Sequence, residues 1–412
     1  MTAAPPAPPT PPDKRETHAT LAAGFFTNGV WDMLSIVVPL YAVAAGLSVA
    51  EIGLIIAARS VLPTVLSVHG GILMDRWGTR NVLVRLSAAS IVLPLLYPAS
   101  GWFVVLVILQ LMLGLASSLG MGAAQTWSLQ SSHGDTATMA RYSIFSRIGT
   151  FIGPVMVGAI WDTLGPWAAF SCIALWAAGV LASAAYAAPP RSERAEGAPA
   201  RRSSISQAAR AVIPRWTEHK DAFALAAIPA VAFVLAVSFF RNAPGAIQAS
   251  FYVVYLGDIG VSGTLIGTLV GFSEFFGVLG SLVAGRVERL MRKERLVILC
   301  VVSSLIAIAI TPLIGHMLVL LFVAAAVRGA AQGLSQPVMY SILGRAVPAA
   351  MHGATVGLRN SVTRLASIIT PALMGLVAEL WSIEASFYVL GAIFLAATLV
   401  LALLARAALR AT

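Results

Sequence analysis

Apolar residues run along this chain in blocks too long for an ordinary soluble helix, and polar residues gather in the short gaps between them. A helix needs about 20 predominantly apolar residues to cross the roughly 30 Å hydrocarbon layer of a bilayer. Blocks of about that length or more lie at 20–46, 51–73, 81–99, 102–129, 142–161 and 165–188, and again at 226–256, 262–285, 296–314, 317–343, 355–380 and 383–405. The pattern predicts an all-α membrane protein of about twelve transmembrane helices in two six-helix halves, 20–188 and 222–406. A polar stretch rich in Arg, Ser and Pro at 189–221 reads as a cytoplasmic linker; 1–19, rich in Pro and Ala, and 407–412 read as cytoplasmic tails, the first of them disordered.

The gaps alternate in charge. Arg and Lys fill the first tail, the gap from Arg76 to Arg85, the turn at Arg141, the linker, the run Arg286 to Arg295, the turn at Arg345 and the last tail. The gaps between them, at 46–50, 97–102, 162–167, 256–263, 315–316 and 381–385, contain neither residue. Basic loops stay on the cytoplasmic side, so both termini are expected there, and the arginine-rich, alanine-rich usage suggests a bacterial inner membrane.

Composition agrees. With 58% hydrophobic and 11% charged residues, against roughly 25% charged in a soluble domain, a soluble globular protein is excluded. A formal charge of +10 invites a nucleic-acid reading, but the cations fall in the gaps, where they orient spans. Cys172 and Cys300 both sit inside apolar blocks, and the six histidines are scattered, so neither a disulfide framework nor a metal site is expected. No nucleophile–base–acid set, phosphate-binding glycine loop or cofactor motif is present, which argues against an enzyme.

The halves repeat each other. Gly46-Leu47-Ser48-x3-Ile52-Gly53 returns as Gly260-Val261-Ser262-x3-Ile266-Gly267, and Arg147-x6-Pro154-x3-Gly158 returns as Arg364-x6-Pro371-x3-Gly375. Between the second and third spans lies Gly71-x-Leu73-x-Asp75-Arg76-x-Gly78-Thr79-Arg80, and a degraded copy follows Gly285. This turn closely resembles the signature G-x-L-x-D-R-x-G-R-[RK] of the major facilitator superfamily, with Thr79 where a basic residue is usual. The resemblance covers nearly the whole chain. It implies two halves rocking about a central cavity formed by spans one, four, seven and ten with their neighbours two, five, eight and eleven.

Ionisable residues in mid-membrane cost at least about 2.5–3.5 kcal/mol, so each is a candidate for function. Asp32 lies about 18 Å into the first span and Arg59 about 12 Å in from the other side of the second, at matching depths. Glu274 is deep in the eighth span, where a desolvated carboxylate can exchange protons near neutral pH. Asp32, Arg59 and Glu274 are thus expected to couple protons, with a purely structural Asp32–Arg59 ion pair as the rival reading.

Asn28, Trp31, Gln110, Arg241, Asn242, Phe275 and Arg328 are expected to line the cavity, Arg328 as the best placed cation and Arg241 at uncertain depth. Gln110 stands before Gly114 where proton-driven members of the superfamily carry an arginine in R-x-x-x-G. In the fifth span, Gly149-x3-Gly153-Pro154-x3-Gly158 resembles the pattern of drug-exporting antiporters, although small residues also serve plain helix packing. A conformational switch is expected from Gly71, Asp75, Arg76, Gly78, Arg80, Arg147, Gly153, Pro154 and Arg364. Within it, Asp75 should meet the start of the eleventh span near 357–361, and Arg147 and Arg364 should help close the cytoplasmic side.

The expected function is secondary export of a small organic compound by proton antiport, performed by a monomer without a cofactor. Proton-coupled uptake and a non-transporting receptor are the alternatives.

Overall fold

The computed structural model describes residues 14–132, 136–187, 227–346 and 352–411. Every described regular element is helical. The crossings are α1 (Lys14–Ala44), α2 (Val49–Trp77), α3 (Thr79–Leu96) and α4 (Phe103–Ser131). Next, Thr136–Tyr186 runs through Gly165, whose φ of 78° and ψ of −172° are not helical, so it is two helices, α5 (136–164) and α6 (166–186). In the second half come α7 (Pro229–Asp258), broken between Gln248 and Phe251, and α8 (Gly263–Val287). The last four are α9 (Lys293–Ala309, continued by Thr311–Ile314), α10 (Leu318–Ala346), α11 (His352–Leu380) and α12 (Ile383–Ala411).

Two boundaries moved: the first helix starts before residue 20, and α12 runs on to Ala411, into the tail expected at 407–412. The first helix begins at Lys14, inside the expected tail, where Glu16 suits the positive end of the helix and its carboxylate accepts from Trp127 Nε1 at 3.2 Å. The linker expected at 189–221 lies outside the described residues.

The repeated Gly-x-Ser motif has a local cause. Gly46 and Gly260 hold φ of 75° and 83°, the left-handed conformation that ends a helix and that only glycine adopts freely. Two residues on, Ser48 and Ser262 cap the next helices, accepting from the N–H groups of Glu51 and Leu265 at 3.3 Å each. Each motif therefore ends one helix and starts another.

Burial sorts the helices into inner and outer. In the most apolar window of α1, 67% of positions are buried, and in that of α7, 61%, against 33% in α3 and 28% in α12. With Leu399, Val400, Leu403 and Leu404 exposed, α12 is apolar on a face that only lipid would cover.

The halves join through two crossed pairs, α2 with α11 and α5 with α8. A methyl group on Gly53 would strike the Pro371 carbonyl, and one on Gly267 the Pro154 carbonyl. The repeated motifs thus pack on each other across the interface, glycine of one half against proline carbonyl of the other. These contacts lie toward the arginine-free gaps, whereas a methyl group on Gly285, near the other end of α8, would meet nothing within 4 Å. The interface is closed at the arginine-free end.

Candidate functional site

A cavity of about 390 Å³ lies between the halves. Its walls come from α1 (Trp31, Asp32, Ser35), α2 (Arg59, Ser60), α5 (Arg147), α7 (Arg241, Asn242, Gln248), α8 (Ser273, Glu274), α10 (Gln332, Gln336) and α11 (Ser367). Three guanidinium groups face two carboxylates, so the lining is polar and, with all five ionised, carries a net positive charge.

Glu274 meets Arg147 of the other half, Oε2 to Nη1 at 3.8 Å. Arg59 does not pair with Asp32 within 4 Å. Its guanidinium lies over the Trp31 ring at 3.5 Å and donates to the Trp31 carbonyl, remaining within electrostatic reach of the Asp32 carboxylate one residue on. The expected ion pair is corrected accordingly: an aromatic face and a carbonyl hold the guanidinium, which leaves Asp32 facing the cavity. On the opposite wall, Arg241 donates through Nε to Ser335 Oγ and through Nη2 to the Gln332 carbonyl, both at 2.7 Å. Asn242 Nδ2 donates to the Thr363 carbonyl and Ser367 Oγ at 2.8 Å, tying α7 to α11.

A central polar cavity between two repeated six-helix halves is the arrangement the signature turn implied. The Major Facilitator Superfamily model matches residues 20–248 and 234–411. The chain belongs to the major facilitator superfamily. It is a multi-pass membrane transporter. No curated protein matches the sequence. Among solved structures it is similar to the nucleoside transporter NupG, with a TM-score of 0.74 at 16% identity over 95% of this chain and 98% of that one. It is also similar to a POT family transporter in complex with 5-aminolevulinic acid, with a TM-score of 0.69 at 14% identity over 95% and 96% of the two chains. A further POT family structure, in complex with a thioalcohol conjugated peptide, gives 0.69 at 13% identity, again over 95% and 96%. At such identities the likeness shows the fold.

The wall of this major facilitator cavity includes Asp32, Arg59, Glu274, Trp31, Arg241 and Asn242. Starting α7 at Pro229 puts Arg241 about 18 Å into its helix, at the cavity wall. Four other candidates do not line it. Asn28 bonds within α1, to the Gly24 carbonyl at 2.9 Å. Gln110 is buried away from the cavity, its Oε1 without a partner, and none of the α4 residues reaches the wall. The reason is close packing: Gly114 sits against the Arg59 backbone, so α2 stands between α4 and the cavity.

Arg328 is only 1% exposed and lies over the Tyr252 ring at 5.0 Å. Gly329, Gln332, Gly333 and Gln336 form the cavity face of α10 at helical spacing, and the residue before that face points elsewhere. Phe275, half exposed, is turned outward beside Phe276 for the same reason, because Glu274 and Gly277 take the inner face of α8.

Arg147, expected among the switch residues that help close the cytoplasmic side, reaches the cavity wall and meets Glu274 of the other half, a partner that the sequence does not name; its i and i+7 relation to Pro154 on one face of α5 was the available signal. Arg364 is half-buried on α11 and does not line the cavity.

Arg80 braces the first half, its Nε donating to the Ala184 carbonyl at 2.8 Å, and Gly78 turns the chain with φ of 80°. Gly153 lets α5 approach Met33 and Gly29 of α1. The side chains of Asp75 and Arg76, the surroundings of Gly71 and the start of α11 through 357 lie outside the described residues, and with them the expected Asp75 contact.

Proposed function

We propose that this transporter couples movement of a small, polar organic solute to protons, through Asp32 and Glu274. One observation carries the reading: a carboxylate from each half faces the same cavity, each within reach of a guanidinium, Arg59 for Asp32 and Arg147 for Glu274. A proton on Glu274 removes its attraction to Arg147 and loosens the two halves at that level. A solute anion beside Arg147 has the same effect by competition.

The lining also bears on the solute. Three guanidinium groups against two carboxylates, with amides from Asn242, Gln248, Gln332 and Gln336, suit an anionic or zwitterionic molecule better than a lipophilic cation. By the positive-inside rule the closed, arginine-free end faces outward, the cavity faces the cytoplasm, both termini are cytoplasmic, and the host membrane is a bacterial inner membrane. The direction proposed is export by antiport, supported by the resemblance of the α5 glycine pattern to that of exporting antiporters. A first half from Lys14 to residue 188, a linker at 189–221 and a second half from 222 are part of the same proposal.

The test is accumulation of a panel of small anions and zwitterions in cells with and without the protein. Lower accumulation that a protonophore abolishes supports proton-coupled export. Higher accumulation assigns uptake instead, and the absence of any proton-linked change in every compound overturns the coupling.

A further inference from the structure

We propose that Asp162 and Glu379 are a repeat-related pair of latches that hold the halves together at the arginine-free face, and that their release opens that face. The inference rests on the transport reading only in assuming that the two halves move apart.

The 217-residue offset that relates Pro154 to Pro371 also relates Asp162 to Glu379, and the 214-residue offset that relates Gly53 to Gly267 relates Ala50 to Thr264. In space, Asp162 meets Thr264 and Glu379 meets Ala50. Asp162, near the end of α5, accepts from the Gly263 N–H through Oδ1 at 2.7 Å. Its Oδ2 accepts from the Thr264 N–H at 2.7 Å and from the Thr264 hydroxyl at 2.6 Å. Glu379, near the end of α11, accepts from the Ala50 N–H through Oε2 at 3.2 Å. Each carboxylate thus caps the first turn of a helix in the opposite half.

A helix N-terminus presents unpaired N–H groups and partial positive charge, and a carboxylate satisfies both. With no Lys or Arg in the adjoining turns, these N–H groups are the positive partners that the two acids have. The latches are unequal. Asp162 holds α8 by three short bonds, whereas Glu379 shares the start of α2 with Glu51, whose carboxylate already takes the Ser48 N–H at 2.9 Å. Asp162 is therefore the stronger latch. Between this face and the cavity, Ala42 of α1, Ile52 and Ile56 of α2 and Val254 of α7 form an apolar cluster, and Ile56 itself reaches the cavity wall.

Val254, 2% exposed, reports on opening. In a background with Cys172→Ser and Cys300→Ser, Val254→Cys is labelled from the outer face of right-side-out vesicles with a membrane-impermeant maleimide. Asp162→Asn should raise the labelling rate about tenfold, or about 1.4 kcal/mol of shift toward the open face. Glu379→Gln should raise it less, and the double variant most. Gln336→Cys in the cavity should label more slowly from the inner face in the same variants, since opening one face closes the other, whereas general loosening would speed both. If Asp162→Asn does not reach the membrane, Thr264→Val, which removes only the hydroxyl bond, must still give a several-fold rise at Val254→Cys. Labelling needs no solute, so its outcome is independent of whether protons are coupled. Labelling at the parent rate in the double variant, or in Thr264→Val where that is the variant measured, overturns the proposal, as does a rise at both reporters.

Discussion

Arg147 of α5 and Glu274 of α8 belong to different halves and meet at 3.8 Å in the cavity wall, with side chains 42% and 39% exposed. An ion pair this open to solvent is weak, and a weak pair suits a contact that must break in every cycle. Glu274→Gln and Asp32→Asn are expected to abolish transport driven by a pH gradient while leaving solute binding or energy-independent exchange measurable. Full pumping by both variants under a proton-motive force would return the two acids to a structural role.

The position of Arg59 depends on shape as well as charge. Its planar guanidinium stacks on Trp31 and donates to the Trp31 carbonyl, and a lysine ammonium can do only part of this. Arg59→Lys should therefore lower transport at least about tenfold and move its pH optimum, because the charge no longer sits at a fixed place beside Asp32. Transport with an unchanged pH profile in Arg59→Lys would show that Arg59 is only packing.

Two glycines set the depth of the coupling residues. Gly114 of α4 lies against the Arg59 carbonyl and Gly329 of α10 against the Ser273 carbonyl, next to Glu274. A methyl group at either would meet backbone, which cannot move aside without shifting a helix. Gly114→Ala and Gly329→Ala are expected to cost about 1–3 kcal/mol by overpacking, read as a lower melting temperature in detergent and a loss of transport beyond the loss of yield.

Gln110 gives the opposite expectation. Its Oε1 is buried without a partner and its side chain is absent from the cavity wall. Replacing an unsatisfied polar group by an apolar one of similar shape is close to neutral. Gln110→Met should keep full transport and equal or higher thermal stability, whereas loss of transport with normal yield would place Gln110 on the solute or proton path.

By itself the sequence determined the number of crossings, because each helix must carry about 20 apolar residues through lipid. It determined the family through the Gly71–Arg80 turn, and the depth of Asp32, Arg59 and Glu274, because depth along a helix is a matter of counting residues. Rotation about the helix axis is not countable in this way. A span that is apolar on every side has no polar stripe to tell cavity from lipid or neighbour, so Gln110, Arg328 and Phe275 were assigned to a wall they do not face. Only packing decided that, through contacts such as Gly114 on Arg59 and Gly329 on Ser273. Packing also chose the partners. Arg147 with Glu274, and Asp162 with the start of α8, join residues more than a hundred positions apart, and no local pattern brings such residues together until the halves have docked.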